Sequence, residues 1–140
     1  MNRHKIRMRA LQAIYQLLDK EEKHFEETDI RRAIANATQL DDEALDDVPE
    51  YLNTLVSGVL ENEETIDETI SDHLDNWPLK QLNRIDRNIL RLATFEILYV
   101  SDTPNAVAID EAIELAKAFS DESAQSFING VLSSIANNPK

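Results

Sequence analysis

Cysteine is absent from the 140 residues, and the residues that make turns are scarce, with only two glycines and four prolines. The lack of cysteine excludes disulfides and thiolate metal sites. So few glycines and prolines disfavour a turn-rich β architecture and favour helices with short connections. Hydrophobic residues still make up 42% of the chain, which is enough to build a core. We therefore predict an all-α fold.

A long apolar run is also missing. The basic start of the chain is not followed by the apolar stretch that a secretory signal requires, and no segment reaches the length of a membrane span. We therefore predict a cytoplasmic protein that does not use a membrane.

Features of catalytic or metal sites are absent as well. His4, His24 and His73 have no metal-ligand spacing among themselves or with nearby acids. Two glycines cannot build a phosphate-binding or dinucleotide-binding loop. Adjacent acids, such as Asp67 and Glu68, lie in runs that look solvated rather than tuned to different pKa values. We predict no enzyme activity, no catalytic residue, no metal and no cofactor.

Seven segments repeat their apolar residues at helical spacing. The first five are predicted at 3–19, 29–39, 49–60, 64–74 and from after Pro78 to about 100. The sixth is anchored by residues 109–119 and the seventh by residues 127–135. Thr28 and Pro49 are placed to begin the second and third helices, and the acidic segment 40–48 is predicted to be a loop.

A short internal echo bears on how these helices pack. Residues 56–60 (VSGVL) resemble residues 128–132 (INGVL), and each contains a glycine inside a predicted helix. Glycine is a poor helix former, so Gly58 and Gly130 predict two places where another helix approaches closely. We expect a single domain of two packed helical bundles, divided at the Trp77-Pro78 break into subdomains of about 1–76 and 77–140.

Charge is distributed unevenly along the chain. Residues 1–18 hold four of the 14 Lys and Arg and no acid, whereas the remainder holds 10 basic residues against 27 acids within a net charge of −13. A basic arm on an acidic body favours one localised surface for anions, because the body repels nucleic acid elsewhere. The alternative, a basic terminus that is merely solvated, stays open on charge alone.

The fifth segment carries a second basic pattern, formed by Lys80, Arg84, Arg87 and Arg91. At about 100° per residue these four lie within about 60° of one another on a helix. Such a stripe suits phosphates, because each cation releases condensed counterions. The alternative is a face that pairs with acids of a neighbouring element, such as the acid-rich fourth helix.

Three further residues are informative. Glu96 lies on the apolar side of the fifth helix, and a buried carboxylate requires a partner. We therefore predict that Glu96 is mostly buried and accepts a hydrogen bond. Tyr15 and Phe127 have aromatic rings that can stack on bases, although such residues are more often part of a core or its rim.

Four segments in order resemble the NusB family of transcription antitermination factors. They are residues 84–98 (RIDRNILRLATFEIL), 106–119 (AVAIDEAIELAKAF), 127–132 (FINGVL) and the arginine-rich start with 10–15 (ALQAIY). The resemblance spans nearly the whole chain and implies helical subdomains of three and four helices. It also implies binding to boxA-type leader RNA of ribosomal RNA operons, together with the small-subunit ribosomal protein NusE, within an antitermination complex on RNA polymerase.

The resemblance assigns RNA-binding roles residue by residue. They fall on Arg3, His4, Lys5 and Arg7, and also on Tyr15, Asp86 and Phe127. Two positions depart from the family pattern, since Ser126 replaces a common lysine and Arg9 adds a charge that extends the basic face. A helical protein-assembly module without RNA specificity is the alternative, and whether the free protein is a monomer or a homodimer stays open.

Overall fold

The computed structural model describes residues 1–18, 25–39, 47–75 and 77–138. Within these ranges it contains seven α-helices, a short 3₁₀ helix at Leu79–Gln81 and no strand, which confirms the all-α prediction. The helices are α1 (Arg3–Leu17), α2 (Glu27–Thr38), α3 (Glu50–Glu61), α4 (Glu63–Asp72), α5 (Arg84–Tyr99), α6 (Asn105–Phe119) and α7 (Glu122–Asn137). None of the helices in the described ranges is long and apolar enough to cross a membrane.

The first compact unit, Met1–Glu61, is built from α1, α2 and α3. Helix α1 packs against both other helices, and side chains such as Leu11, Ile14, Leu52 and Leu55 are fully buried. Gln16 joins α1 to α2, since its Nε2 donates to the Ala33 carbonyl at 3.2 Å. The apolar face predicted for α1 is therefore the face that forms the core of this unit.

The second unit, Asn62–Lys140, contains α4 to α7. The division falls after Glu61 rather than at the expected break before Trp77. Helix α4 belongs to the second unit because it packs against α5 and α7, where Ile66 and Ile70 are fully buried. The Trp77-Pro78 break therefore lies within one unit, and in the described ranges the two units contain three and four helices.

Helix starts follow local capping chemistry. Glu26, rather than the expected Thr28, caps α2 through a reciprocal capping box with Asp29. Asn83 caps α5, which begins at Arg84, so the helix starts about five residues later than expected. Helix α3 begins directly after Pro49, as predicted. Most of the acidic segment predicted as a loop at 40–48 lies outside the described residues.

The two glycines of the internal echo differ in their surroundings. Gly58 is buried in α3. Gly130 is exposed on α7, and a Cβ built on it would meet nothing within 4 Å. The close helix approach predicted at Gly130 is therefore wrong, because the space beside this glycine is open.

Candidate nucleic-acid interface

The first turn of α1 is a positively charged helix end. The Asn2 side-chain oxygen accepts a hydrogen bond from the Lys5 backbone N–H at 2.8 Å and so caps the helix. No acidic residue lies in this first turn. The positive end of the helix dipole therefore adds to the charges of Arg3 and Lys5 instead of being neutralised.

Arg3 and Lys5 have exposed side chains, and His4 between them is half-buried. The Arg3 guanidinium lies over the ring of Tyr51, with its Cζ 3.7 Å from the ring centroid. Tyr51 belongs to α3, so the packing of α1 on α3 holds the guanidinium in a defined position. No pattern in the sequence pointed to Tyr51, because this contact joins residues 48 positions apart in the chain.

Arg7 does not belong to the exposed arm, contrary to the sequence-based expectation. Its side chain is only 4% exposed. It lies four residues after Arg3, one helical turn further along α1, where the helix already faces the core. Its burial therefore separates Arg7 from the exposed cations of this helix end.

Arg9 and Tyr15 lie further along the same helix and are both half-buried. The Arg9 Nη1 donates to the Gln12 side-chain oxygen at 3.0 Å. This contact keeps the guanidinium close to the helix surface. Arg9 and Tyr15 thus remain at the surface of α1, although neither is fully exposed.

The first turn of α5 carries a second group of candidate residues. Arg84 is exposed and Asp86 is half-buried. Asn83 accepts from the Asp86 N–H at 2.8 Å and donates to the Asp86 carboxylate at 3.0 Å. The Ser120 hydroxyl, at the end of α6, donates to the other carboxylate oxygen at 2.6 Å. Asp86 is therefore held by both helices and has a defined orientation.

Lys80 is exposed in the 3₁₀ helix and not on α5. Its backbone carbonyl accepts a hydrogen bond from Arg87 Nη1 at 3.3 Å, and Arg87 is half-buried. The predicted stripe of four turns is therefore interrupted at Asn83, the residue that caps α5. Lys80, Arg84 and Arg87 still belong to the same short region of the second unit.

Arg91 is removed from the stripe altogether, because it is 4% exposed and surrounded by acceptors. Its Nε and Nη2 donate to the two carboxylate oxygens of Asp67 at 2.8 and 3.0 Å. Its Nη1 donates to Asn88 at 2.9 Å, and Glu63 lies 3.6 Å from Nη2. For this residue the alternative was right, since Arg91 pairs with acids of the fourth helix.

Phe127 is half-buried on α7 and lines an open groove of about 690 Å³. Trp77, which the sequence marked only as a helix breaker, lines the same groove and is 58% exposed. Ser126, where the sequence lacks the expected lysine, lies there too. The described residues that line the groove include no lysine or arginine, so the groove lining places no such side chain beside Phe127.

Glu96 is 1% exposed, which confirms its predicted burial. The hydrogen bond to its carboxylate stays a prediction. Among the described residues, no group of three or more His, Asp or Glu is arranged to hold a metal ion.

Comparisons with known proteins agree with this architecture. The model of the NusB family matches residues 4–137. Transcription antitermination protein NusB of Enterococcus faecalis V583 is 44% identical over 137 residues, covering 96% of this chain and 89% of the relative. The protein of the same name from Listeria innocua is 40% identical, with 97% of each chain covered.

Two solved structures are similar over the whole fold. NusB of T. maritima superimposes with a TM-score of 0.78 at 33% identity, covering 99% of this chain and 92% of the other. A crystal structure described as antitermination factors NusB and NusE in complex with double-stranded RNA gives a TM-score of 0.77 at 26% identity, with 96% of both chains covered. From the family match and the identity of these relatives over nearly the full length, the chain belongs to the NusB family of transcription antitermination proteins and not to a family of enzymes.

Proposed function

We propose that this protein is an RNA-binding antitermination factor of the cytoplasm that binds boxA-type leader RNA together with the ribosomal protein NusE. In this role it joins the RNA polymerase antitermination complex and promotes transcription of ribosomal RNA operons. Family membership supports the proposal, as does the related structure that contains NusE and RNA. The observation that carries it is the pair of exposed cations, Arg3 and Lys5, on a helix end without an opposing acid.

The geometry of this first turn suits a single-stranded ligand. Arginine offers a planar fork of donors that matches a phosphate, and its plane can stack on a base. The Tyr51 ring covers one side of the Arg3 guanidinium. Because this contact already holds Arg3 in place, the side chain loses less conformational entropy when it binds a ligand. The edge and the other side of the guanidinium remain for RNA.

The region around the start of α5 provides a second set of contacts. Arg84 and Lys80 are exposed and supply positive charge, with Arg87 close to Lys80. The Asp86 carboxylate can accept a hydrogen bond from a base amino group, and its orientation is set by Asn83 and Ser120. Arg7 and Arg91 are left out of the proposed contacts because both are buried.

Four other residues are secondary in the proposal. His4, Arg9 and Tyr15 are half-buried along α1 and adjoin the exposed cations in sequence. We propose that they extend the surface rather than provide its main charge. Phe127 stays a candidate for base stacking, and its replacement by alanine tests it separately.

The double variant Arg3→Ala, Lys5→Ala tests the proposal. RNA affinity is measured by fluorescence anisotropy on a labelled single-stranded boxA-type RNA over a series of salt concentrations. We expect weaker binding and a salt slope reduced by about 1.4, because each lost single-strand phosphate contact removes about 0.7. The free energy of unfolding should change by no more than about 1 kcal/mol, since both side chains are exposed and the lost contact of Arg3 with Tyr51 is an exposed cation–π contact.

The matched control is Arg32→Ala, Lys117→Ala. It removes the same charge from two exposed residues that pair with acids on their own helices, and it should leave the salt slope unchanged.

Replacing Tyr51 by leucine should weaken RNA binding by about two- to fivefold, the magnitude of an exposed cation–π contact, whereas phenylalanine should preserve it. If the Arg3/Lys5 variant binds RNA like the control, the RNA site is not on α1. If the variant Lys80→Ala, Arg84→Ala also binds normally, the protein-assembly function replaces this proposal.

A further inference from the structure

Helix α7 contains a pair of residues with a chemistry of its own. Asn129 is followed directly by Gly130, and this is the only Asn-Gly pair in the chain. Both residues are exposed. The backbone nitrogen that follows an asparagine can attack its side-chain amide, and glycine leaves that nitrogen most accessible because it has no Cβ. The pair is therefore the position in this sequence with the highest intrinsic tendency to lose its side-chain amide.

The reaction is an intramolecular ring closure that requires only water. The Gly130 backbone nitrogen loses its proton and bonds to the Asn129 Cγ, and the bond between Cγ and the side-chain nitrogen breaks, so that ammonia leaves. Water then opens the five-membered imide at one of its two carbonyl carbons. The product at position 129 is aspartate or isoaspartate, with one water consumed and one ammonia released.

An intact α7 prevents this ring closure. In an α-helix the N–H of residue 130 donates to the carbonyl of residue 126, so the attacking nitrogen is engaged. The helical ψ angle of about −42° at Asn129 must also change before the ring can close. Ile128 and Val131, on either side of the pair, are buried and anchor this part of the helix. The exposed amide is therefore protected by the backbone of α7.

The Asn129 side chain adds little protection. Its Oδ1 accepts a hydrogen bond from the Ser133 hydroxyl at 3.3 Å, which is long for a bond between two oxygens. A donor at this oxygen favours the attack, because the oxygen gains negative charge when Cγ is attacked. The reactivity of Asn129 therefore depends on how often the helix opens.

Gly130 makes that opening easier. Glycine is a poor helix former, and a Cβ built at this position would meet nothing within 4 Å, so internal packing does not require a glycine here. Local opening of a helix is governed by its local stability. The residue that makes Asn129 reactive thus also weakens the helix that protects it.

We propose that Asn129-Gly130 is a latent deamidation site that transient opening of α7 activates. The reacting group is the Asn129 amide, and water is the co-reactant. Isoaspartate adds one carbon atom to the main chain, so a modified chain cannot rebuild a regular helix through position 129. The site goes beyond the proposed RNA-binding function and does not depend on Arg3 or Lys5.

Ageing of the full-length protein at neutral pH tests the proposal. Samples in native buffer and in a urea concentration that unfolds the chain are digested, and mass spectrometry measures the gain of one mass unit at position 129. We expect modification to be slow in native buffer and much faster in urea. Asn53-Thr54 and Asn105-Ala106 are internal controls, since both asparagines are exposed. They should lag far behind in urea, because the residue after each has a Cβ.

Asp121→Ala tests whether α7 controls the reaction. It removes the N-cap of α7 without changing the Asn-Gly pair. Modification in native buffer should become about fivefold faster, because the loss of an N-cap shifts the equilibrium between closed and open helix by about this factor. The rate in urea should stay the same. The matched control is Asp121→Asn, which keeps an acceptor at the cap and should age like the parent.

Two changes at the pair itself test the chemistry and its consequence. Gly130→Ala should fold, because the space beside this residue is open, and it should slow modification in urea to the level of the control asparagines. Asn129→Asp carries the new charge without the additional backbone atom. We expect the isoaspartate fraction of the aged protein to have less helical circular dichroism and a lower melting temperature than this variant.

Four results would overturn the proposal. Modification at position 129 that is no faster in urea than at the control asparagines would mean that the pair is not reactive. Equal rates in native buffer and in urea would mean that α7 gives no protection. A native rate that does not rise in Asp121→Ala would separate the reaction from opening of the helix. An isoaspartate fraction as helical and as stable as Asn129→Asp would show that α7 tolerates the modification.

Discussion

Arginine side chains occupy two kinds of environment in this protein. Arg3 and Arg84 present their guanidinium groups at the surface, whereas Arg7 and Arg91 are buried. Arginine allows both because its long aliphatic stem packs with apolar residues while its planar head makes several directed hydrogen bonds. Which environment a given arginine adopts depends on the acceptors that the fold brings to it, and for Arg91 these are Asp67 and Asn88.

Replacing Arg91 by alanine should destabilise the second unit strongly. We expect a loss of about 3 kcal/mol in the free energy of unfolding, because removing one partner of a buried pair leaves the others without compensation. Chemical denaturation followed by circular dichroism measures this loss. Arg84→Ala on the same helix is the control, and it should change the free energy by no more than about 0.5 kcal/mol. Equal effects of the two variants would show that the ion pair contributes nothing.

The candidate site was predictable from sequence only where it depends on a single helix. The basic start of α1 was found because Arg3 and Lys5 stand in one turn without an acid. The burial of Arg91 was not predicted, because Asp67 lies 24 residues earlier and contacts Arg91 only when α4 packs on α5. The contact between Arg3 and Tyr51 escaped the sequence for the same reason. Trp77 was read as a helix breaker, which says nothing about its exposure.

Individual helices were predicted well because apolar spacing determines which face is buried, whereas their ends depend on capping contacts. The spacing identified all seven helices. Their ends shifted where a side chain provided a better cap than the one chosen from sequence, as Glu26 does for α2 and Asn83 does for α5. The division between units also moved, because the partners of α4 come later in the chain.

Helix α7 begins with a cap that makes its stability depend on pH. One Asp121 carboxylate oxygen accepts hydrogen bonds from the Ser123 hydroxyl at 2.7 Å and from the Ala124 N–H at 3.0 Å. The pKa of Asp121 is lowered below its usual range. The hydrogen bond from the Ser123 hydroxyl has the largest effect, and the hydrogen bond from the Ala124 backbone N–H has the next largest. A lowered pKa means that the folded state holds this proton less tightly than the unfolded state does. The stabilisation is therefore complete above the ordinary aspartate pKa of about 3.9 and is lost as the pH falls through the folded-state value.

We expect Asp121→Ala to lower the melting temperature near neutral pH, because an N-cap acceptor is lost. The difference in melting temperature between this variant and the parent should become smaller as the pH falls below about 4. Asp121→Asn keeps an acceptor but does not titrate, so it serves as the control. Melting curves over a pH series give the result, and a difference that stays constant at low pH would contradict it.

At the scale of the whole molecule, the net charge of −13 has two opposite effects on salt dependence. Acidic side chains repel one another in the folded chain, and salt screens that repulsion. The proposed RNA binding through the basic arm should, by contrast, weaken with salt because counterion release becomes less favourable. Stability and RNA affinity should therefore change in opposite directions as the ionic strength rises.

Raising the salt concentration from about 20 mM to about 200 mM, which shortens the screening length severalfold, should raise the melting temperature. Circular dichroism at fixed pH measures it. The variant Asp102→Asn, Asp110→Asn carries two fewer negative charges, so its melting temperature should rise less. A melting temperature that falls with salt in the parent would show that favourable surface ion pairs outweigh the repulsion.

The buried contacts of Arg91 also restrict how this sequence can drift over generations. Arg3 and Lys5 can be replaced at little cost to the fold, because both side chains are exposed and the contact of Arg3 with Tyr51 lies at the surface. Arg91 is far more costly to replace, since a single substitution there leaves Asp67, Glu63 and Asn88 around an empty space. Its replacement without a loss of stability requires a second change among these partners, so we expect selection to act on this arginine through the folded structure and not through a ligand.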